Sequence, residues 1–187
     1  MTRSRIISWP IAQKLVFALA ILTLAFAAQM VRADVAPFVG EYTGSAEMER
    51  ADGTTRQRDM SVEITEGRKG SFSVRWTTIT YKSKGRTTEK SYDVEFVPSD
   101  REGVYAAAQK KNVFGHEVQL DPMKGEPYVW ARIMGDTLTV YSLFVADDGG
   151  YEIPQVDRTL GGGGFQLEFN RLRNGVQQGA VSAFLDK

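Results

Sequence analysis

The sequence predicts an all-β fold, a single antiparallel up-and-down meander closed into a small barrel of about 8 to 10 strands. Apolar and polar residues alternate along several segments, as in FSVRWTTITY, where Phe72, Val74 and Trp76 share one face. Asp-Gly, Asn-Gly and other glycine-containing turns separate these segments at intervals of roughly 10 to 15 residues. No stretch after Ala33 sustains a helical period. Because an apolar sheet face must be covered, the meander is expected to close on itself.

The predicted strands follow one another without an intervening helix. Their approximate ranges are 38–49, 55–66, 71–82, 87–97, 103–109, 127–133, 137–146, 151–159, 165–173 and 177–185. The segment 109–127 is too long for an ordinary hairpin loop, so it is either a functional flap or a surface excursion with a short helical turn. In the strand that follows it, Tyr128 and Trp130 share a face with Arg132, but the opposite face is apolar too. The sequence leaves open which of these faces is inside.

The first 33 residues have the pattern of a secretory signal peptide. Basic residues precede an uncharged apolar run at 15–28, and a small-residue cleavage pattern ends at Ala33. The run is shorter than the roughly 20 residues that a membrane-spanning helix needs, which disfavours an uncleaved anchor. We therefore expect a signal peptide at 1–33, a barrel domain at 34–187, and an exported protein, periplasmic or extracellular, that does not insert stably in a membrane after cleavage.

Composition excludes several classes of function. Removing the leader takes away four basic residues and no acidic one, which leaves 19 Lys and Arg against 23 Asp and Glu. This mildly acidic balance argues against nucleic-acid binding. Cysteine is absent and His116 is the single histidine, so the sequence predicts no disulfide, no metal site, no cofactor and no enzyme. In the segment 109–127, a solvated loop histidine is favoured over a catalytic one. The pattern gives no oligomeric state.

Glycine and aromatic residues alternate in the opening stretch PFVGEYTG. Phe38, Gly40, Tyr42 and Gly44 fall on its inner face. Glycine in a strand usually marks a bend or the close approach of another group. Gly40 and Gly44 are therefore expected where the sheet curls around Tyr42.

The Gly-x-aromatic motif of Gly40 and Tyr42, within a meander, resembles the calycin superfamily of lipocalin, fatty-acid-binding and avidin-type barrels. In that superfamily the first strand carries Gly-x-Trp, and an arginine from the last strands packs across the tryptophan and closes one end. Here Tyr42 stands in place of tryptophan, and the arginine that continues the inward series is Arg171. The resemblance implies a barrel closed at one end by Gly40, Tyr42 and Arg171 and open to a small, mostly apolar ligand at the other.

The leading functional hypothesis is therefore a non-enzymatic barrel that binds a small apolar or amphipathic ligand in its interior. Trp76, Phe72, Tyr92 and Phe96 are the inward aromatic residues expected to line that site. One alternative is a filled barrel that acts as an envelope protein-interaction or inhibitor-like module through its loops. An outer-membrane barrel and an enzyme of another type are the less favoured readings.

Overall fold

The computed structural model describes residues 34–49, 55–82, 85–108, 110–111, 117–118 and 120–187. The predicted leader at 1–33 and His116 lie outside these residues, so the expectations that rest on them stay predictions. Among the described residues, no helix has the length and apolar character needed to span a bilayer.

Most of the described residues lie in strands. The short 3-10 turns of the described residues include those at Ala36–Phe38, Arg68–Gly70 and Pro122–Lys124. The strands are β1 (Gly40–Glu49), β2 (Thr55–Glu66), β3 (Phe72–Tyr81), β4 (Thr87–Pro98), β5 (Val104–Ala107), β6 (Lys110–Lys111), β7 (Glu117–Val118), β8 (Tyr128–Met134), β9 (Thr137–Val145), β10 (Tyr151–Gly161), β11 (Gly164–Arg173) and β12 (Val176–Asp186).

Ten of these strands form one closed antiparallel barrel. Its order is β1-β12-β11-β10-β9-β8-β5-β4-β3-β2, so successive strands are neighbours and β1 meets β12 to complete the ring. The predicted fold class is confirmed, because each of the ten predicted strands overlaps one strand of this closed barrel. Within the segment 109–127, β6 and β7 pair separately as a two-stranded sheet, and a 3-10 turn follows them.

One end of the barrel, where β1 begins and β12 ends, is filled with side chains, and we call it the closed end. Phe38, in the 3-10 turn before β1, is 1% exposed there. Inward residues of the surrounding strands are buried beside it: Tyr42, Ile64, Phe72, Val74, Phe96, Tyr105, Ile133, Leu138, Phe165 and Leu185. The opposite end, which we call the mouth, carries the turns at 146–150 and 174–175 and the departure of the chain into 108–127.

The contact between β1 and β12, which we call the seam, is short, and the two backbones approach closely there. The register between the two strands is the single pair Thr43 with Asp186. A Cβ added to Gly44 would overlap the carbonyl oxygen of Phe184 on β12. Glycine is therefore required at Gly44 by the close approach of another backbone, as the sequence suggested for this strand.

The barrel wall is also short at β5. This strand pairs with β4 only at Phe96, Val97 and Pro98, and it ends at Ala107. The mouth half of β4, from Thr87 to Val94, pairs with β3 on one side and continues past the end of β5 on the other. The chain leaves the barrel wall at this point and returns as β8.

Candidate functional site

The inward aromatic residues predicted from the sequence fall into two pairs at different depths. Phe72 and Phe96 lie at the closed end, both 0% exposed, with ring centroids 5.2 Å apart. The ring of Tyr105 meets Phe72 edge-on at 4.9 Å. These two phenylalanines are part of the packed core, so a ligand could reach them only by displacing core side chains.

The second pair, Trp76 and Tyr92, lies further toward the mouth. The two residues are directly opposite on β3 and β4, and their rings stack at 5.2 Å. Trp76 is half-buried, whereas Tyr92 is 50% exposed. Tyr92 belongs to the part of β4 that extends past β5, so this aromatic surface is accessible from solvent.

A ring of partly buried apolar side chains continues this surface around the barrel. These residues pack on the core but are not enclosed by it: Met60, Trp76, Val94, Ala107, Val129, Val156 and Phe169. Burial therefore decreases from the closed end toward the mouth. The mouth half of the inner face is the candidate binding surface.

Tyr42 is fixed at the closed end, as its position in the motif implies. Its hydroxyl donates a buried 2.8 Å hydrogen bond to the carbonyl of Phe38, and its ring centroid lies 4.3 Å from that of Phe165. Burial raises the pKa of Tyr42. The cation near its ring is Lys187, whose Nζ is 5.6 Å from the centroid and whose side chain also covers Gly40.

Arg171 does not lie beside Tyr42 as the resemblance implied. It is exposed on β11, opposite Pro154 on β10 and Gly179 on β12. The buried arginine of the barrel is instead Arg158 on β10, at 1% exposure. Burial lowers the pKa of Arg158 to about 10, while the neighbouring Asp157 acts in the opposite direction.

Sequence reasoning missed Arg158, although a signal for it was present. In YEIPQVDRTLG, Val156, Arg158 and Leu160 alternate with polar residues, which places the arginine on the apolar face. The register confirms this placement, since Arg158 lies opposite Leu138 on β9 and Leu167 on β11. A second inward arginine, Arg58 on β2, has a pKa lowered by burial.

The mouth has a rim of ion pairs. Arg173 donates to Glu152 at 2.9 Å and to Asp148 at 2.7 Å, which joins β11 to β10 and to the turn at 146–150 between β9 and β10. These contacts raise the pKa of Arg173 and contribute to a lowered pKa of Asp148, whose first cause is the hydrogen bond from the Gly150 backbone. The charge of Arg173 is therefore already compensated.

The faces of β8, which the sequence left open, are now assigned. Ala131 and Ile133 are buried inside, whereas Trp130 is on the outer face and stacks on Tyr141 of β9 at 4.9 Å. Tyr128 extends this outer aromatic cluster at 5.8 Å from Trp130. A separate shallow groove of about 410 Å³ lies outside β1, β2 and β3, and short polar side chains such as Thr43, Ser45 and Ser61 line much of it.

We compared the sequence and the structure with those of known proteins. No protein-family model and no curated protein matches the sequence. Among solved structures, the S-type phycobiliprotein lyase from Guillardia theta aligns with 83% of this chain and 94% of its own, at 11% sequence identity and a TM-score of 0.35. A similarity at this TM-score is too low to assign any residue of the site. Within the described residues, no group of three or more His, Cys, Asp or Glu side chains is placed to hold a metal ion.

Proposed function

We propose that this protein is an exported, non-enzymatic binding barrel that holds a small apolar or amphipathic molecule in the mouth half of its interior. The observation that carries the proposal is the stacked pair of Trp76 and Tyr92, which is continuous with the core yet half exposed through Tyr92. A barrel wall that ends early at β5 leaves this pair accessible to a ligand. Covering such a surface with a ligand is worth about 25 cal/mol per Å² of apolar area, before the costs of association.

Tryptophan fluorescence tests this proposal directly. Once the leader is removed, Trp76 and Trp130 are the two remaining tryptophans, one on the inner face and one on the outer face. A polyene fatty acid should give saturable energy transfer, with an affinity on the order of micromolar or tighter. Trp76→Phe should remove most of that signal, and Trp130→Phe, the matched control, should keep it.

The proposal fails if a broad panel of apolar ligands gives no saturable change in emission or melting temperature with a detergent-stripped sample. Recovery of the bound ligand in unchanged form, measured by mass spectrometry after long incubation, checks the absence of catalysis. A chemically altered ligand would point to an enzyme.

A second candidate is the protein-interaction module, and the outer aromatic cluster favours it. Tyr128, Trp130 and Tyr141 present aromatic surface on the outside of the barrel, the residue type enriched at protein interfaces. Binding of a partner through this surface would shift the emission of Trp130 and leave that of Trp76 unchanged. The two tryptophan variants therefore separate the two candidates.

Export is the remaining part of the proposal, and it rests on the leader pattern at 1–33. Cleavage after Ala33 would make Asp34 the first residue of the mature protein. Asp34 lies two residues before the 3-10 turn that leads into β1, and its carboxylate accepts a 3.0 Å hydrogen bond from the amide of Ala36. N-terminal sequencing of the exported protein should begin at Asp34, and a retained Met1 would refute both the cleavage and the localisation.

A further inference from the structure

The outer face of β8 to β11 carries a continuous apolar surface in its mouth half, which we call the outer apolar wall. It extends the aromatic cluster of β8 and β9 across two further strands, because its residues lie opposite one another on neighbouring strands. Its members are Tyr128, Trp130, Tyr141, Leu143, Val145, Tyr151, Ile153 and Leu172. Tyr128, Tyr151 and Leu172 are 38%, 42% and 37% exposed. Continuous apolar surface of this kind is typical of an interaction site.

The other side of the barrel has a different outer face. On β2, β3 and β4, Arg75 forms ion pairs with Glu63 at 2.9 Å and with Asp93 at 2.8 Å. Thr77 and Ser91 are joined by a hydrogen bond of 2.9 Å beside them. These polar groups satisfy one another on the surface of a single chain. The apolar character of the outward residues is therefore concentrated on β8 to β11.

A row of polar and charged residues borders the outer apolar wall on the side of the closed end. Successive strand pairs place Arg132, Thr139, Asp157 and Glu168 in this row, on β8, β9, β10 and β11. Asp157 and Glu168 lie directly opposite each other, an arrangement of like charges that destabilises a sheet. At the other end of the row, the exposed Arg132 forms no ion pair with a described residue. The row thus has a basic end and an acidic end.

We propose that the outer apolar wall is the interface of a homodimer, in which two copies of this chain pack their walls face to face about a twofold axis parallel to the strands. Such an axis places β8 on β11 of the second copy and β9 on its β10, and each row of residues meets the same row. Apolar rows then meet apolar rows, and Arg132 meets the partner's Glu168 on both sides of the axis. This inference does not depend on the ligand proposed for the interior.

The charges select this axis over the alternative. A twofold axis running across the strands would reverse the order of the rows, and the charged row of one copy would then lie on apolar side chains of the other. The parallel axis instead gives each acidic end a cation. It also directs both mouths toward the same side of the dimer.

The lengths of the side chains agree with the same packing. The outer wall of a barrel is convex, so side chains on the flanking strands must reach further than those near the axis. β8 is a flanking strand, and it supplies Tyr128, Trp130 and Arg132, whereas Leu143 and Ile153 lie on the central strands β9 and β10. Tyrosine, tryptophan and arginine are also the residue types that carry most of the binding energy in protein interfaces.

Sedimentation velocity of the purified protein at increasing concentration tests the interface. We expect the wild type to form a dimer with a dissociation constant on the order of 10 µM or tighter. Arg132→Glu and Glu168→Arg should each weaken dimerisation by on the order of 10-fold or more, because each variant brings like charges together twice in the dimer.

An equimolar mixture of these two variants should associate as tightly as the wild type, because the mixed dimer has opposite charges in contact on both sides of the axis. This rescue cannot arise within one chain, since β9 and β10 separate the two positions by roughly 14 Å. Rescue also shows that both variants are folded. Glu47→Arg is the matched control, because Glu47 is an exposed outward glutamate on β1, and it should dimerise as the wild type does.

Three results would overturn the inference. The first is a wild-type protein that remains monomeric at about 100 µM, well above the expected dissociation constant. The second is a dimer that neither charge variant weakens, which would place the interface on another face. The third is a monomer whose Trp130 emission shifts on phospholipid vesicles, which would make a lipid surface the occupant of the wall. Binding of a ligand near Trp76 is measured separately, so each of these results leaves the proposed function standing.

Discussion

At Gly44 the identity of a single residue decides whether β1 can meet β12. The residue lies in a strand without a positive φ, so its backbone does not require glycine. Glycine is required by the lack of space, because a Cβ added to Gly44 would overlap the carbonyl oxygen of Phe184. The second glycine of the opening stretch PFVGEYTG thus has a steric role in this chain, at the seam that closes the ring.

Gly44→Ala should therefore destabilise the barrel by about 1 to 3 kcal/mol, the usual cost of forcing an extra carbon into a packed site. Gly161→Ala is the matched control, because Gly161 also lies in a strand without a positive φ and a Cβ there would meet nothing within 4 Å. It should change stability by no more than about 0.5 kcal/mol. Denaturant unfolding measures both, and equal midpoints for the two variants would mean that the seam can relax.

The depth of a residue along the barrel could not be predicted from the sequence. Alternation correctly placed Phe72, Trp76, Tyr92 and Phe96 on one face, but it gives no depth along the barrel. Depth depends on which turns gather at the closed end and on the length of β5, and both follow from pairing between distant strands. The choice of Arg171 over Arg158 has the same cause, because both arginines are inward and burial alone distinguishes them.

At the scale of elements, prediction worked best where a strand has one apolar and one polar face. The predicted bounds of β2 at 55–66 match the structure, and those of the other barrel strands differ by up to two residues at an end. The period of two is a local property, and the turn residues that end each strand are local too. This explains why the order and direction of the barrel strands could be derived from the sequence alone.

The region around β5 was harder to predict for a physical reason. The predicted strand at 103–109 is shortened to Val104–Ala107, and the following segment forms β6 and β7 apart from the barrel. Whether a strand continues depends on whether its neighbours on both sides still have free edges. That condition is set by β4 and β8 together, so it cannot be read from the residues of β5.

At the scale of the whole molecule, the strands of the ring differ in how much of their length is paired on both sides. β11 pairs with β10 from Gly164 to Arg173 and with β12 over nearly the same residues. The mouth half of β4 pairs with β3, but on its other side β5 has ended. Backbone amides that point into a paired neighbour exchange slowly with solvent, and those that point past a strand end exchange readily.

Native-state hydrogen exchange should therefore find slow exchange at consecutive residues of β11 and an alternating pattern along Thr87–Val94 of β4. In that part of β4, roughly every second amide should exchange quickly, because antiparallel strands direct successive amides to opposite neighbours. The buried end of β4 near Phe96, where β5 does pair, supplies the internal control and should be protected on both sides. Uniform slow exchange from Thr87 to Val94 would mean that another segment covers this edge, and the route by which Tyr92 is exposed to a ligand would then be closed.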